Sequence, residues 1–310
     1  MSNPLMRTDI ANAVTAGLDD VFWNSAADVP AQYDEIFGDQ KVDGQFYQTL
    51  PFAGFGQVPK SGEMVPLTYD APKEGYKGNI EPDVYKLGCR LSREAYDDER
   101  YGMLKSVPAE LAKSFKYTKN VVVFNMLNNG FSASPTYADG VPLFGDTVTY
   151  AHPLKNGSVS YNRPQNAGVD LNKETLKGAL IDLRRTLDDR GKLWNIGILG
   201  MGVTLFVPLE LQDIAFSLVN SEKDPESANN AMNWLKKVKI DVAVGDFIND
   251  PDAWFLVANK KVHKIKVFNR IPLDTDSDRE FSTGCLLYSG YERYIPYPED
   301  WRGIWGSAGA

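Results

Sequence analysis

Through the middle of the chain, apolar positions recur at steps of three or four. The series is Leu104, Val107, Leu111, Phe115, Val122 and Met126, with Thr118 in the same register. That spacing predicts one amphipathic helix, and Asn128-Asn129-Gly130 closes it as a C-terminal cap. Ser92 is an N-cap candidate, followed by Asp97, Asp98 and Glu99, where a helix start favours acid. Gly102 and Pro108 punctuate this stretch, so the first turns are expected to form a separate short helix. A second helix is predicted from the cap Asn172 through Leu176, Leu180, Leu183 and Leu187 to a stop at Gly191. A third starts at Pro208 and carries Leu211, Ile214 and Leu218.

Strand patterns lie mostly after these helices. Val203 to Val207 reads as a buried strand, with Ile240 to Val244, Trp254 to Ala258, Lys264 to Asn269 and Cys285 to Tyr294 as others. The expected class is α+β, with one long helix and segregated strands. Residues 1–45 read as a poorly packed arm, because the apolar faces of Ile10 to Leu18 and Ala31 to Phe37 are too short to hold a helix alone. Residues 46–88 mix glycine and proline with aromatics. Phe46 to Val58 and Val65 to Tyr69 read there as the flanks of a long protruding β-hairpin that touches a partner. The end of the chain reads as an exposed aromatic tail with Trp301 and Trp305.

Composition narrows the function classes. The 310 residues are 43% hydrophobic and 24% charged, ordinary for a globular protein that needs no metal or disulfide to fold. The 33 basic and 41 acidic residues give a net charge of -8, the wrong sign for a protein that grips nucleic acid. An acidic inner wall still suits a container in which packed DNA slides. Cys89 and Cys285 stand far apart and are expected to be buried reduced thiols. The start of the chain lacks a signal-peptide pattern. The longest apolar run, Ile196 to Val207, is too short to span a bilayer, so a cytosolic protein is expected.

Catalytic patterns are hard to find. His152 and His263 lie in different regions and in no zinc spacing, and His152 reads as a structural loop histidine. Gly197, Gly200 and Gly202 have the wrong order for a phosphate loop, and read as a glycine-softened strand junction. Consecutive Asp97, Asp98 and Glu99 point about 100° apart on a helix and do not converge on an ion. Lys236, Lys237 and Lys239 read as a wet face. No enzymatic activity, cofactor or metal is expected.

The stretch from Leu91 to Leu154 resembles the major head subunit family of Mu-like tailed phages. The resemblance rests on Leu91-Ser92-Arg93-Glu94-Ala95-Tyr96-Asp97-Asp98, then Asn129-Gly130-Phe131, Tyr137-Ala138-Asp139-Gly140-Val141-Pro142-Leu143-Phe144 and Ala151-His152-Pro153-Leu154. Looser likeness extends to Pro30-Ala31-Gln32-Tyr33, to Thr204 to Pro208, to Pro251 to Leu256 and to Asp300-Trp301-Arg302-Gly303. It implies an HK97-like capsid fold. The parts would be an N-terminal arm over 1–45, an extended loop over 46–88 and a spine helix with part of the peripheral domain over 89–130. A mainly apical region would follow over 131–275, then a return to the peripheral domain and a tail over 276–310.

The same resemblance implies a major capsid protein that self-assembles through pentamers and hexamers into an icosahedral head around double-stranded DNA, without sequence-specific binding. Only about 45 residues precede the loop, so the scaffolding protein is expected to be separate. A portal and decoration proteins would be further partners, and the virion, assembled in the host cytoplasm, the location. Phe52, Phe55, Lys60, Tyr69, Lys73, Trp301 and Trp305 are the candidate inter-subunit contacts. The rival readings are a shell of an encapsulin-like nanocompartment, with the same fold around a cargo enzyme, and a cytosolic enzyme that shares some turns.

Overall fold

The computed structural model describes residues 7–92, 94, 103–165, 168–195, 197–222 and 232–310. Within them α1 (Arg7–Asp28) precedes β1 (Gly38–Lys41), and short strands β2 (Tyr47–Thr49), β3 (Phe52–Ala53), β4 (Lys73–Glu74) and β5 (Gly78–Ile80) frame a loop. The long strand β6 (Asp83–Leu91) and helix α2 (Met103–Asn128) follow, then β7 (His152–Pro153), β8 (Val159–Ser160) and α3 (Lys173–Arg185). The rest is β9 (Val203–Val207), α4 (Gln212–Asn220), β10 (Ile240–Val244), β11 (Trp254–Ala258), β12 (Ile265–Arg279), β13 (Leu286–Pro298) and β14 (Ile304–Ser307).

Two four-stranded sheets carry the fold. One has the order β10-β9-β11-β14. Its central strands β9 and β11 are apolar on both faces, as expected where the sheet is covered on both sides. Successive side chains of a strand point to opposite faces. Val203, Leu205 and Val207 therefore join Trp254, Leu256 and Trp305 under α3 and α4, against Leu176, Leu180, Leu183 and Leu218. Phe206, Phe255, Val257 and Ile304 face the other way, onto Phe124 and Leu127 of α2 and onto Phe144.

The second sheet has the order β1-β12-β13-β6. Long antiparallel strands β12 and β13 form its centre, and β1 joins β12 in parallel. The first half of α2 lies on this sheet. A Cβ at Gly290 of β13 would stand 2.5 Å from the Phe115 ring, so glycine is what lets the helix come so near.

Several expectations are corrected by these coordinates. The arm is not a pair of loose patches: α1 is one 22-residue helix whose Leu18, Phe22 and Ala26 bury against Leu111, Ala112, Phe115 and Tyr288. A partner surface supplies what its own short apolar face lacks. Helix α2 runs unbroken through Pro108. It gives up one backbone bond there, and packing of the next two turns holds it. The acidic start at Asp97, Asp98 and Glu99, and Gly102, lie outside the described residues.

Helix α3 stops at Arg185, and Gly191 belongs instead to a tight turn, at φ +82°, between the bridged residues Leu187 and Leu193. A 3-10 turn, Leu209–Leu211, intervenes between Pro208 and α4. Strands β12 and β13 run on past their expected ends to Arg279 and Pro298. The cysteines are free and half-buried rather than buried. The aromatic tail is not exposed: Trp305 packs on Trp254 with ring centroids 4.9 Å apart, and Trp301 stacks on His152.

His263 gives this fold a pH dependence. Its Nδ1 accepts a hydrogen bond from the Ile265 N–H at 3.1 Å, deep in the protein. Burial first, then the nearby Lys260 and Lys266, holds its pKa down to about 4. An unfolded chain protonates the same imidazole near 6.5. Between those two values the unfolded state therefore binds more protons, and stability falls as pH falls. The His263 contribution should be intact above pH 6.5 and fall by about 3 kcal/mol as pH approaches 4. Urea melts across this window should show that slope, and His263→Gln should flatten it. An unchanged slope in the variant would assign the acid sensitivity elsewhere.

Candidate assembly surface

The loop between β2 and β5 is built as a ladder that runs out. Tyr47–Thr49 pairs with Gly78–Ile80, then Phe52–Ala53 with Lys73–Glu74, and the Gly75 N–H donates to the Pro51 carbonyl at 2.7 Å. Beyond Ala53 and Lys73 no further rung forms among the described residues, and every residue from Gln57 to Glu74 is exposed. Glycine and proline at 54, 56, 59, 62 and 66 deny the longer flanks the regular pairing expected from their apolar content.

The candidate contacts divide into two groups. Phe52 and Phe55, each 62% exposed, Tyr69, 90% exposed, and the exposed Lys60 and Lys73 all stand on this loop. Val58, Met64 and Leu67 add more uncovered apolar surface around them. Trp301 and Trp305 belong to the subunit's own interior, at 8% and 3% exposure. Their misplacement has a physical source: β14 has only four residues, too few to display a period, and its partner β11 lies far back in the sequence.

His152 is the other place where polar groups gather. Its Nδ1 bonds Asp139 Oδ2 at 2.6 Å, its Nε2 lies 3.2 Å from Asn162 Oδ1, and Trp301 covers the ring at 4.2 Å. Asn162 in turn accepts from the Gly145 N–H and donates to the Leu143 carbonyl. A Cβ at Gly145 would collide with the imidazole. The cluster thus ties the turn-rich segment after α2 to the tail, which is the structural role expected of this histidine. The adjoining cavity is about 40 Å³, lined also by Tyr76, Asp189 and Arg302, and takes a few waters at most.

A larger cleft of about 360 Å³ opens beside Trp23, Tyr33, Lys116 and Leu273. At its floor Lys119 of α2 donates to Asn269 Oδ1 at 2.9 Å and lies 3.6 Å from the buried Glu292 of β13. Burial lowers the Lys119 pKa and raises that of Glu292, in both cases outweighing their mutual attraction. The pair joins the helix to the sheet, and removing either partner would leave the other charge buried and unpaired.

The sequence profile of the family described as phage capsid protein matches residues 78–307. The chain belongs to the phage capsid protein family. Solved structures agree on the fold of this capsid protein. The capsid of a native GTA particle superposes with a TM-score of 0.57 at 12% identity, covering 90% of this chain and 90% of that one. The Mycobacterium phage Patience gives 0.53 at 10%, covering 99% and 89%. A virus-like particle from Pyrococcus furiosus gives 0.50 at 10%, covering 94% and 97%. No curated protein matches the sequence.

Because phage heads and a virus-like particle share the architecture, the fold alone does not divide a head from other shells. The family match does, and it favours a structural major capsid protein that forms a phage head over the nanocompartment reading. The expected HK97-like fold is the one observed. Family and fold imply a structural role and self-assembly into a shell, with the capsid of the virion as location.

Proposed function

We propose that this capsid protein builds its head through the 54–72 loop, as a Mu-like major head subunit that encloses double-stranded DNA and catalyses nothing. The observation that carries the reading is the loop itself. A monomer gains nothing from holding Phe55, Val58, Met64, Leu67 and Tyr69 in water, whereas a neighbouring copy that covers them gains their full transfer free energy. Phe52, Phe55, Lys60, Tyr69 and Lys73 are the contact residues proposed on this surface.

In this reading residues 1–45 are the arm, 46–88 the extended loop and 89–130 the spine with part of the peripheral domain. Residues 131–275 form mainly the apical domain, and 276–310 the return to the peripheral domain and the C-terminal tail. The net charge of -8 suits a wall that DNA slides along, so the packaged DNA is held without sequence-specific contacts. A separate scaffolding protein, a portal and decoration proteins complete the set of partners, and assembly takes place in the host cytoplasm.

The test is assembly. At high concentration, or with scaffold, light scattering and electron microscopy should find capsomers or closed shells far above 34.5 kDa. A single monomer peak under every condition would overturn the reading.

A further inference from the structure

Among the described residues, hydrogen bonds tie the 54–72 stretch of the loop to the body of its own subunit at one place. Asp70, on the returning leg, accepts from the Gly56 N–H of the outgoing leg at 2.7 Å and from Arg190 Nη1 at 2.5 Å. The same guanidinium donates to the Ala71 carbonyl, and Lys192 donates to the Phe55 carbonyl. Gly56 leaves space for this arrangement, since a Cβ there would stand 3.2 Å from both Arg190 Nη1 and Asp70 Oδ2.

The platform that holds Arg190 is rigid. Asp188 Oδ1 accepts from the N–H groups of Arg190 and Lys192 at 2.9 and 2.8 Å, closing the turn around Gly191. Between Asp188 and Arg190, Asp189 turns inward to the buried Arg302, 3.1 Å away. The Arg190 side chain is itself only 11% exposed. One continuous line of bonds therefore runs from the interior, through the turn, to both legs of the loop.

Beyond this clasp, no hydrogen bond among the described residues joins 57–69 to the body. Each leg of that tip, six or seven residues long, reaches roughly 20–25 Å when fully extended. A swing of roughly 20° at the clasp would move the far end by about 7 Å, more than the ~4 Å within which apolar groups touch. We propose that Arg190 and Asp70 are positioning residues for assembly: their ion pair fixes the direction in which the loop tip leaves the subunit, and so the neighbouring surface it meets. The inference rests on the capsid reading.

The experiment uses the full chain, with four variants beside wild type: Arg190→Ala, Asp70→Asn, Arg190→Lys and the exchanged pair Asp70→Arg with Arg190→Asp. Asp70 is exposed and neither it nor Arg190 belongs to an apolar cluster, so each soluble subunit should keep its melting temperature within a few degrees and its far-UV circular dichroism. Shell yield by electron microscopy should fall at least tenfold in both charge-removing variants, with irregular particles among the remainder. Arg190→Lys should be intermediate, because an ammonium cannot span Asp70 and the Ala71 carbonyl as a fork does. The exchanged pair restores the opposite charges but not the bonds to the Gly56 N–H and the Ala71 carbonyl, so it should recover shells in part, above the yield of either charge-removing variant.

Normal shells from Arg190→Ala and Asp70→Asn would overturn the inference while leaving the capsid reading intact. So would unfolded single variants, or an exchanged pair that fails like the singles. A wild-type chain that never assembles would instead sink the capsid reading itself.

Discussion

Replacing Gln57 to Tyr69 with a short Gly/Ser turn will leave a folded subunit that no longer builds shells. The deleted residues are all exposed and lie outside the subunit's apolar clusters, so the core loses nothing. Shortening a surface loop changes its closure entropy only slowly with length, and the rungs at Ala53–Lys73 and Gly78–Thr49 remain to close it. The melting temperature should stay near that of wild type, and the helical circular dichroism should persist. Assembly should fail, because the change removes the same apolar contacts from every copy and the loss multiplies over the particle. Unfolding of the shortened subunit would place the loop in the core. Normal shells would show the loop to be dispensable, and with it the proposed assembly surface.

Phe115→Asp should have the largest effect on the subunit alone. The ring sits at the crossing of α1, α2 and β13, buried with Leu18, Phe22 and Tyr288, and in contact with Gly290, where no side chain intervenes. Removing a buried phenylalanine costs about 3–5 kcal/mol, and a carboxylate in its place adds an unpaired charge in an apolar site. The sum is comparable to the whole stability of an ordinary domain. The variant should be insoluble or unfolded, whereas Lys113→Ala, on the exposed side of the same helix, should move stability by about 0.5 kcal/mol or less. A soluble Phe115→Asp protein with wild-type melting temperature would remove this stretch of α2 from the core.

What the sequence made legible, and what it hid, follows from the range of each interaction. Strands 203–207, 240–244 and 254–258 could be read to the residue, because a short run rich in apolar and β-branched residues between turns suffices to define a strand. Most of α2 could be read because its stripe spans many turns. Helix α1 was hidden because its stability is borrowed from α2, about ninety residues later in the chain. The tail was misread for a related reason: Trp301 and Trp305 look exposed beside Glu299, Asp300 and Arg302 until His152 and Trp254 are brought to them.

At the proposed assembly surface, the exposed residues Phe52, Phe55 and Tyr69 stood out by composition, an aromatic excess in a glycine-rich loop. The Arg190 clasp did not. Its members lie 120 residues apart, and neither stands in a pattern that marks it.

Neither sheet can be closed early in synthesis. One takes β1 and β6 from residues 38–91 and waits for β12 and β13, between 265 and 298; the other needs β14, at 304–307, to cover the edge of β11. Pairings this distant in sequence are slow to form, and they leave unpaired edges while the chain is being made. A nascent or truncated chain stopped before residue 304 lacks the strand that carries Trp305 into the core, so it cannot present a finished wall to a growing particle. Translation thereby screens the building blocks: a chain competes for a place in the lattice once it has been made through β14.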